Sequence, residues 1–229
     1  NAGNDVLCFA ENTKEGMGLI LAKATEQQIE ESFERLWKLK LKAFSALEEP
    51  PEEVRNPDSL NHKLAYESLS LIHGEQKNIK TFAKEGFVGL ALGMESNNPF
   101  FSTLSKSVTF ASFSTESASK KDILEEVRGK NILLSLFPTN AKPKDNFGLS
   151  QQDLTFVSEL LANQNVVLYL FGNPYFLNLL SIQNAKAVVV AYQGFETFQQ
   201  NAANHFLGKI DAKGQLPITL NSEVCTSTK

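Results

Sequence analysis

Five polar residues stand where an open α/β sheet would carry its chemistry. Glu95 follows the apolar run Gly86–Leu92, and Asp145 and Asn146 lie in the loop after Asn131–Phe137. Asn173 follows Asn165–Phe171, and Glu196 follows Ala187–Tyr192. The crevice beyond the carboxyl ends of parallel strands is where such sheets bind ligands. A carboxylate there can move a proton, and a carboxamide can orient a polar ligand. The plain alternative for each is a solvated loop side chain. Stronger motifs are missing. Gly86, Gly89 and Gly93 do not form a G-x-G-x-x-G fingerprint and lie inside a strand run rather than at its exit. There is no GxxxxGK[ST] loop, no GxSxG elbow and no spacing that suggests a Ser-His-Asp triad. His62, His73 and His205 are too scattered for a histidine metal cluster, and Cys8 and Cys225 sit at opposite ends, so no cofactor or metal is expected. His205, in the helical pattern Asn201, Ala202, His205, Phe206, reads as a partly buried structural residue, and Cys8 as an inert core thiol.

The elements that position these residues are legible from apolar patterning. The runs Gly86–Leu92, Val108–Phe113, Asn131–Phe137, Asn165–Phe171 and Ala187–Tyr192 alternate with helical stretches near 97–106, 119–128, 150–163, 173–182 and 194–207. ILLSLF, VVLYLF and AVVVAY are almost continuous apolar runs, as parallel strands covered on both faces require. The fold class is therefore α/β, a doubly wound, mostly parallel sheet sandwiched by helices. Pro217–Leu220 reads as a further strand at one edge, because proline cannot donate to a central ladder. Upstream, Val6–Phe9 reads as a short buried strand. A helix over 25–44 follows, with Thr25 and Gln28 as a capping box and Ile29, Phe33, Leu36, Trp37 and Phe44 on one face. Glu48–Glu53 reads as an exposed linker, and Asp58 or Ser59 caps another helix through about Ile72. The chain has 229 residues, 42% hydrophobic and 21% charged, which excludes wholesale disorder. A net charge of −4 with no basic stripe argues against nucleic-acid partners. No apolar segment reaches the length of a membrane span.

Three stretches together resemble the carboxy-terminal part of glycoside hydrolase family 3. They are AYQGFETFQQNAANHFLGKIDAKGQLPITL at 191–220, VVLYLFGNP at 166–174, and AGNDVLCF at 2–9. The resemblance implies four segments. Residues 1–47 would be the last strand and helix of a truncated catalytic (β/α)8 barrel, and 48–80 a linker and connecting helix. Residues 81–221 would be the C-terminal α/β sandwich domain, and 222–229 a tail. Asp5 would then stand at the amino end of a barrel strand, the face that serves stability rather than catalysis. The start at Asn1 rather than Met reads as a processed or cut end, with Asn1-Ala2 native on the resemblance.

The resemblance further implies a non-catalytic domain of a β-N-acetylglucosaminidase-type enzyme that supports the barrel and lends loops to the substrate cleft. The family's nucleophile, and the His–Asp pair of that branch, belong to barrel segments outside this chain. No catalytic residue is therefore expected here, and the chain alone should be inactive. Its partner would be the parent's own barrel, and carbohydrate would bind only the full-length protein. In the β-glucosidase branch an acid/base glutamate follows the third strand of this domain. The matching stretch here, Pro138–Gly148, contains only Asp145, which is one methylene shorter. The competing reading is a stand-alone α/β binding or interaction module. An exported parent fits the family, although no signal is visible here, and the compartment stays open.

Overall fold

The computed structural model describes residues 4–6, 11–45 and 57–221. By internal contacts the chain divides into Asn1–Asn56 and Pro57–Lys229.

In the first unit, α1 spans Thr13–Lys23 and α2 spans Glu26–Ser45. The expected capping box starts α2. Gln28 N donates to Thr25 Oγ1 at 3.2 Å, and Thr25 N donates to Gln28 Oε1 at 3.1 Å. Helix α1 was not expected from the sequence, whose Gly16 and Gly18 disfavour a helix interior. Neither helix has a buried residue. Phe33 and Trp37 stack at 5.8 Å between ring centroids, yet remain 58% and 51% exposed. Asp5 is held at α2, not presented to a ligand. Arg35 donates to both of its oxygens, each at 2.8 Å, and Ser32 Oγ donates at 2.7 Å. The hydrogen bonds from Arg35, then that from Ser32, hold the Asp5 carboxyl down at about 2. Residues 7–9 of the expected strand lie outside the described residues, as does the Glu48–Glu53 linker.

The second unit runs α3 (Pro57–Ser68), β1 (Ser70–Gly74), α4 (Gln76–Glu85), β2 (Val88–Leu92), α5 (Pro99–Ser105), β3 (Ser112–Ser114), α6 (Lys120–Val127), β4 (Asn131–Leu136), α7 (Gln151–Asn163), β5 (Asn165–Leu170), β6 (Ala187–Val190) and α8 (Glu196–Phe206). The strands order as β1-β6-β5-β4-β2-β3. All neighbours are parallel except β1, which runs antiparallel to β6. This is the expected α/β sandwich. Its two faces divide the apolar runs by alternate residues. Leu90, Leu92, Ile132, Leu134, Leu136, Leu168 and Leu170 face α6 and α7, whereas Ala91, Leu133, Val167, Tyr169 and Val189 face α4, α5 and α8. Every one of these is at most 1% exposed, so a strand without alternation satisfies two cores at once. Each buried aliphatic side chain contributes roughly 1.5–3 kcal/mol.

Four local expectations are corrected. The helix expected through Ile72 stops at Ser68, and Ser70–Gly74 is a strand instead. The short apolar run Leu69–Ile72 fits either period, and β6 supplies the ladder that decides between them. Gly74 closes it at φ +79°, where a Cβ would meet Lys186 O at 2.3 Å. The Pro217–Leu220 edge strand does not form, and β1 and β3 are the sheet's edges. That tail is held by a bond from Gly214 N to Leu69 O at 2.9 Å and by burial of Leu220. The strand expected over 108–113 shrinks to Ser112–Ser114, because Phe110 turns its ring onto Gly89 in the middle of β2. The helix expected at 173–182 is two 3-10 turns, Pro174–Leu179 and Ile182–Asn184.

Candidate functional site

All five sequence-derived candidates emerge at the carboxyl edge of the parallel strands. Connections leave β2 toward β3 and leave β4 toward β5, so the strand order reverses between the parallel neighbours β2 and β4. That gap is tightly closed near the sheet. Phe137 N donates to Leu92 O at 2.9 Å, and a Cβ on Gly93 would come within 2.3 Å of Phe137 O. Gly93 adopts φ +82°, which lets the β2 exit pass beneath the β4 exit.

The loops beyond this floor form two linked pairs. After β2, Asn98 caps α5 by accepting from Phe101 N at 2.9 Å, and its amide donates back to Glu95 O at 2.7 Å. Gln199 of α8, only 1% exposed, then joins this loop to the β6 exit. Its Nε2 donates to Gly194 O at 2.7 Å, and its Oε1 accepts from Phe100 N at 3.1 Å. The loop of Glu95 and the β6 exit that leads into Glu196, the first residue of α8, are therefore held by one buried carboxamide. Both side chains are exposed, and Glu196 Oε1 accepts from Gln200 Nε2 at 2.8 Å.

The second pair joins the exits of β4 and β5. Asn173 accepts from Tyr175 N at 3.0 Å and donates to Ala141 O at 2.9 Å, so it works as a clamp between loops. Pro138 lies against Gly172, with its Cδ 3.0 Å from where a Cβ would stand. Asp145, Asn146 and Phe147 take φ values of 53°, 53° and 59°, and Gly148 follows at 85°. Consecutive left-handed residues cost about 1–2 kcal/mol each for ordinary side chains, least for Asn and Asp. Phe147 fixes the turn by inserting into the core, 3% exposed and edge-on to Phe176 at 5.9 Å. Asn140 N donates to Phe147 O at 2.9 Å, closing the loop. Asp145 ends exposed at the tip and Asn146 half-buried. None of the five candidate side chains bonds to another.

Three residues of this edge escaped the sequence reading. Asn98-Pro99 carried a legible signal, a cap followed by proline at the first helical position. Gln199 carried none, since a helical glutamine usually faces water. Tyr192 carried none either. It adopts φ 64° at the exit of β6, and its hydroxyl meets Ser70 Oγ at 2.9 Å. A depression of about 290 Å³ lies between α6 and α7, lined by Lys120, Gln151, Thr155 and Glu159 among others, and no candidate residue reaches it. Beside it, burial raises the Asp153 pKa, but bonds from Lys120 (2.8 Å) and Ser150 hold it below the ordinary carboxylate value. Among the described residues no group of three His, Cys, Asp or Glu could hold a metal ion, and no helix is long and apolar enough to cross a membrane. Chemically the edge offers exposed carboxylates that no hydrogen bond links to one another. Hydrolysis with retention requires two carboxyl groups about 5 Å apart across one bond.

Solved structures reproduce this architecture. A glycoside hydrolase family 3 β-N-acetylglucosaminidase from Paenibacillus sp. str. FPU-7 superposes with a TM-score of 0.60 at 17% identity, covering 87% of this chain and 40% of that one. The beta-glucoside phosphorylase BglX gives 0.67 at 17% identity, over 93% of this chain and 43% of its own. The fold is that of one part of the family 3 glycoside hydrolase structures. A Bifidobacterium adolescentis GH3 beta-glucosidase gives 0.55 at 14% identity, over 91% of this chain and 36% of that one. The chain thus spans about two fifths of the length of the first structures it resembles. No protein-family model and no curated protein sequence matches it.

Proposed function

We propose that this chain is the non-catalytic C-terminal domain, with the tail of the catalytic barrel, of a family 3 glycoside hydrolase of the β-N-acetylglucosaminidase type. The observation that carries the reading is the shared fold over 87% and 93% of this chain against only 40% and 43% of two much longer enzymes. Two features support the finer claims. The unburied apolar side chains of α1 and α2 suit helices whose proper neighbours are barrel elements. The Pro138–Gly148 loop carries no glutamate, and its single acid, Asp145, stands at an exposed tip with no second carboxyl bonded to it. In this reading Glu95, Asp145, Asn146, Asn173 and Glu196 are substrate-proximal at most. They border the cleft from the sheet's carboxyl edge, while nucleophile and acid/base come from the barrel. The domain's work is mechanical support of the barrel, and carbohydrate binds only the whole enzyme.

The test uses both lengths of protein. The purified 229-residue chain should leave chromogenic N-acetylglucosaminide and glucoside substrates intact. A longer parent carrying the barrel should hydrolyse the N-acetylglucosaminide, and should keep doing so with Asp145→Ala. A parent that prefers the glucoside and loses its hydrolysis with that change overturns the assignment. A stand-alone binding module is the second reading, favoured by the self-contained core of 57–221. An absence of barrel sequence encoded ahead of Asn1 would select it.

A further inference from the structure

We propose that the buried Tyr169–His205 pair is an acid-release latch, in which protonation of His205 frees α8 and with it the loop rim that α8 holds. Tyr169 lies near the carboxyl end of β5 on the face covered by α8, and both side chains are 0% exposed. The Tyr169 hydroxyl lies 2.8 Å from His205 Nδ1. Across the ring, His205 Nε2 is buried with no hydrogen-bond partner among the described residues. One bond therefore serves a ring with two nitrogens, which suits a neutral imidazole better than a charged one. An imidazolium must donate from both nitrogens, and here only Nδ1 has a hydrogen-bond partner among the described residues. A buried charge left half-satisfied is among the costliest arrangements a core can hold.

The surroundings do not offset that cost. Helix α8 packs against α3, α4 and α5. Helix α5 contains no ionisable residue, and the charged residues of α3, Asp58, His62, Lys63 and Glu67, are all exposed. Helix α4 contributes Lys80, which disfavours a second positive charge, and the following segment contributes Asp211, which favours it. Burial outweighs both and pushes the His205 ring down to about 4. In an unfolded chain the same ring titrates near 6.5. Between these values the unfolded chain binds the extra proton, so stability falls as pH drops from about 6.5 to about 4. Above 6.5 this group has no effect.

The latch reaches the carboxyl edge because α8 also carries Gln199, whose carboxamide bonds Gly194 O and Phe100 N. Freeing α8 loosens the β2 and β6 exits together, independently of what the rim binds. The decisive experiment is chemical unfolding of the full chain from pH 7 to pH 4, with His205→Gln beside it. The unfolding constant of the unmodified protein should rise about a hundredfold more than that of the variant. Parallel curves overturn the proposal. Ring NMR of the unmodified protein gives an independent reading if His205→Gln fails to fold, with His62→Gln and His73→Gln used for assignment. The His205 ring should stay neutral down to about pH 5, and a midpoint near 6.5 overturns the latch. Amide exchange, corrected for intrinsic rates, should accelerate over 193–206 before it does over β4 and β5. Uniform acceleration across the unit overturns the release step.

Discussion

The two units of this chain treat their aromatic residues in opposite ways. Phe33, Trp37 and Phe44 on α2 are 58%, 51% and 71% exposed, whereas Phe100, Tyr169 and Phe176 in the sheet unit are 0% exposed. Helical periodicity is equally clear in both regions, so periodicity alone does not produce burial. An amphipathic stripe needs a partner surface, and the sheet unit supplies its own on both faces, while α1 and α2 bury nothing within the described residues. The sheet unit therefore has a core of its own, whereas α1 and α2 leave their apolar side chains exposed among the described residues.

That contrast can be broken most sharply at the core. Leu134→Ala should destabilise the sheet unit by about 2–5 kcal/mol in urea unfolding, and Trp37→Ala should change the same transition by less than about 0.5 kcal/mol. Equal losses would mean that α2 is as deeply integrated as β4. Gly93→Ala should cost about 2 kcal/mol or more, since it adds both a strained φ and a contact with the Phe137 carbonyl. Retained stability there would show that the β2 and β4 exits are not in tight apposition.

Smaller effects sharpen the picture of the sheet unit's rim. Asp153 closes a capping box on α7, accepting from Ser150 N at 2.9 Å, so Asp153→Ala should lose about 1 kcal/mol at neutral pH. Because its folded carboxyl lies below the unfolded value, this contribution is complete above about pH 4 and fades as pH falls through the folded value. The difference between wild type and variant should therefore narrow in acid, and a gap that widens would contradict the bonding. The smallest change is expected from Asp145→Gly. Glycine accepts the left-handed conformation without a Cβ penalty, so thermal unfolding should shift upward, by no more than about 1 kcal/mol. A clear loss would show that the left-handed turn is not the populated one.

Of the candidate site, the sequence located the loops but not their connections. Apolar runs end where hydrogen-bonded strands end, so the exits that carry Glu95, Asp145, Asn173 and Glu196 could be read off directly. That Asn173 is a clamp, reaching from the β5 exit to Ala141, could not be read, because its partner lies 32 residues away. The same holds for Gln199, which reaches 99 residues back to Phe100. Long-range side-chain bonds leave no local pattern.

What the sequence determined by itself rests on near neighbours. Continuous apolar strands of the ILLSLF kind demanded cover on two faces, and Thr25 marked a helix start that local hydrogen bonds then realised. Tertiary structure alone decided whether Leu69–Ile72 would be helix or strand, whether Pro217–Leu220 would pair, and which tyrosine would face His205. Those outcomes depend on backbone donors and buried partners supplied from distant parts of the chain. β6 offered Ser70–Gly74 a ladder, whereas Pro217–Leu220 found none, and the short apolar segment in each case is compatible with more than one answer until that partner is in place.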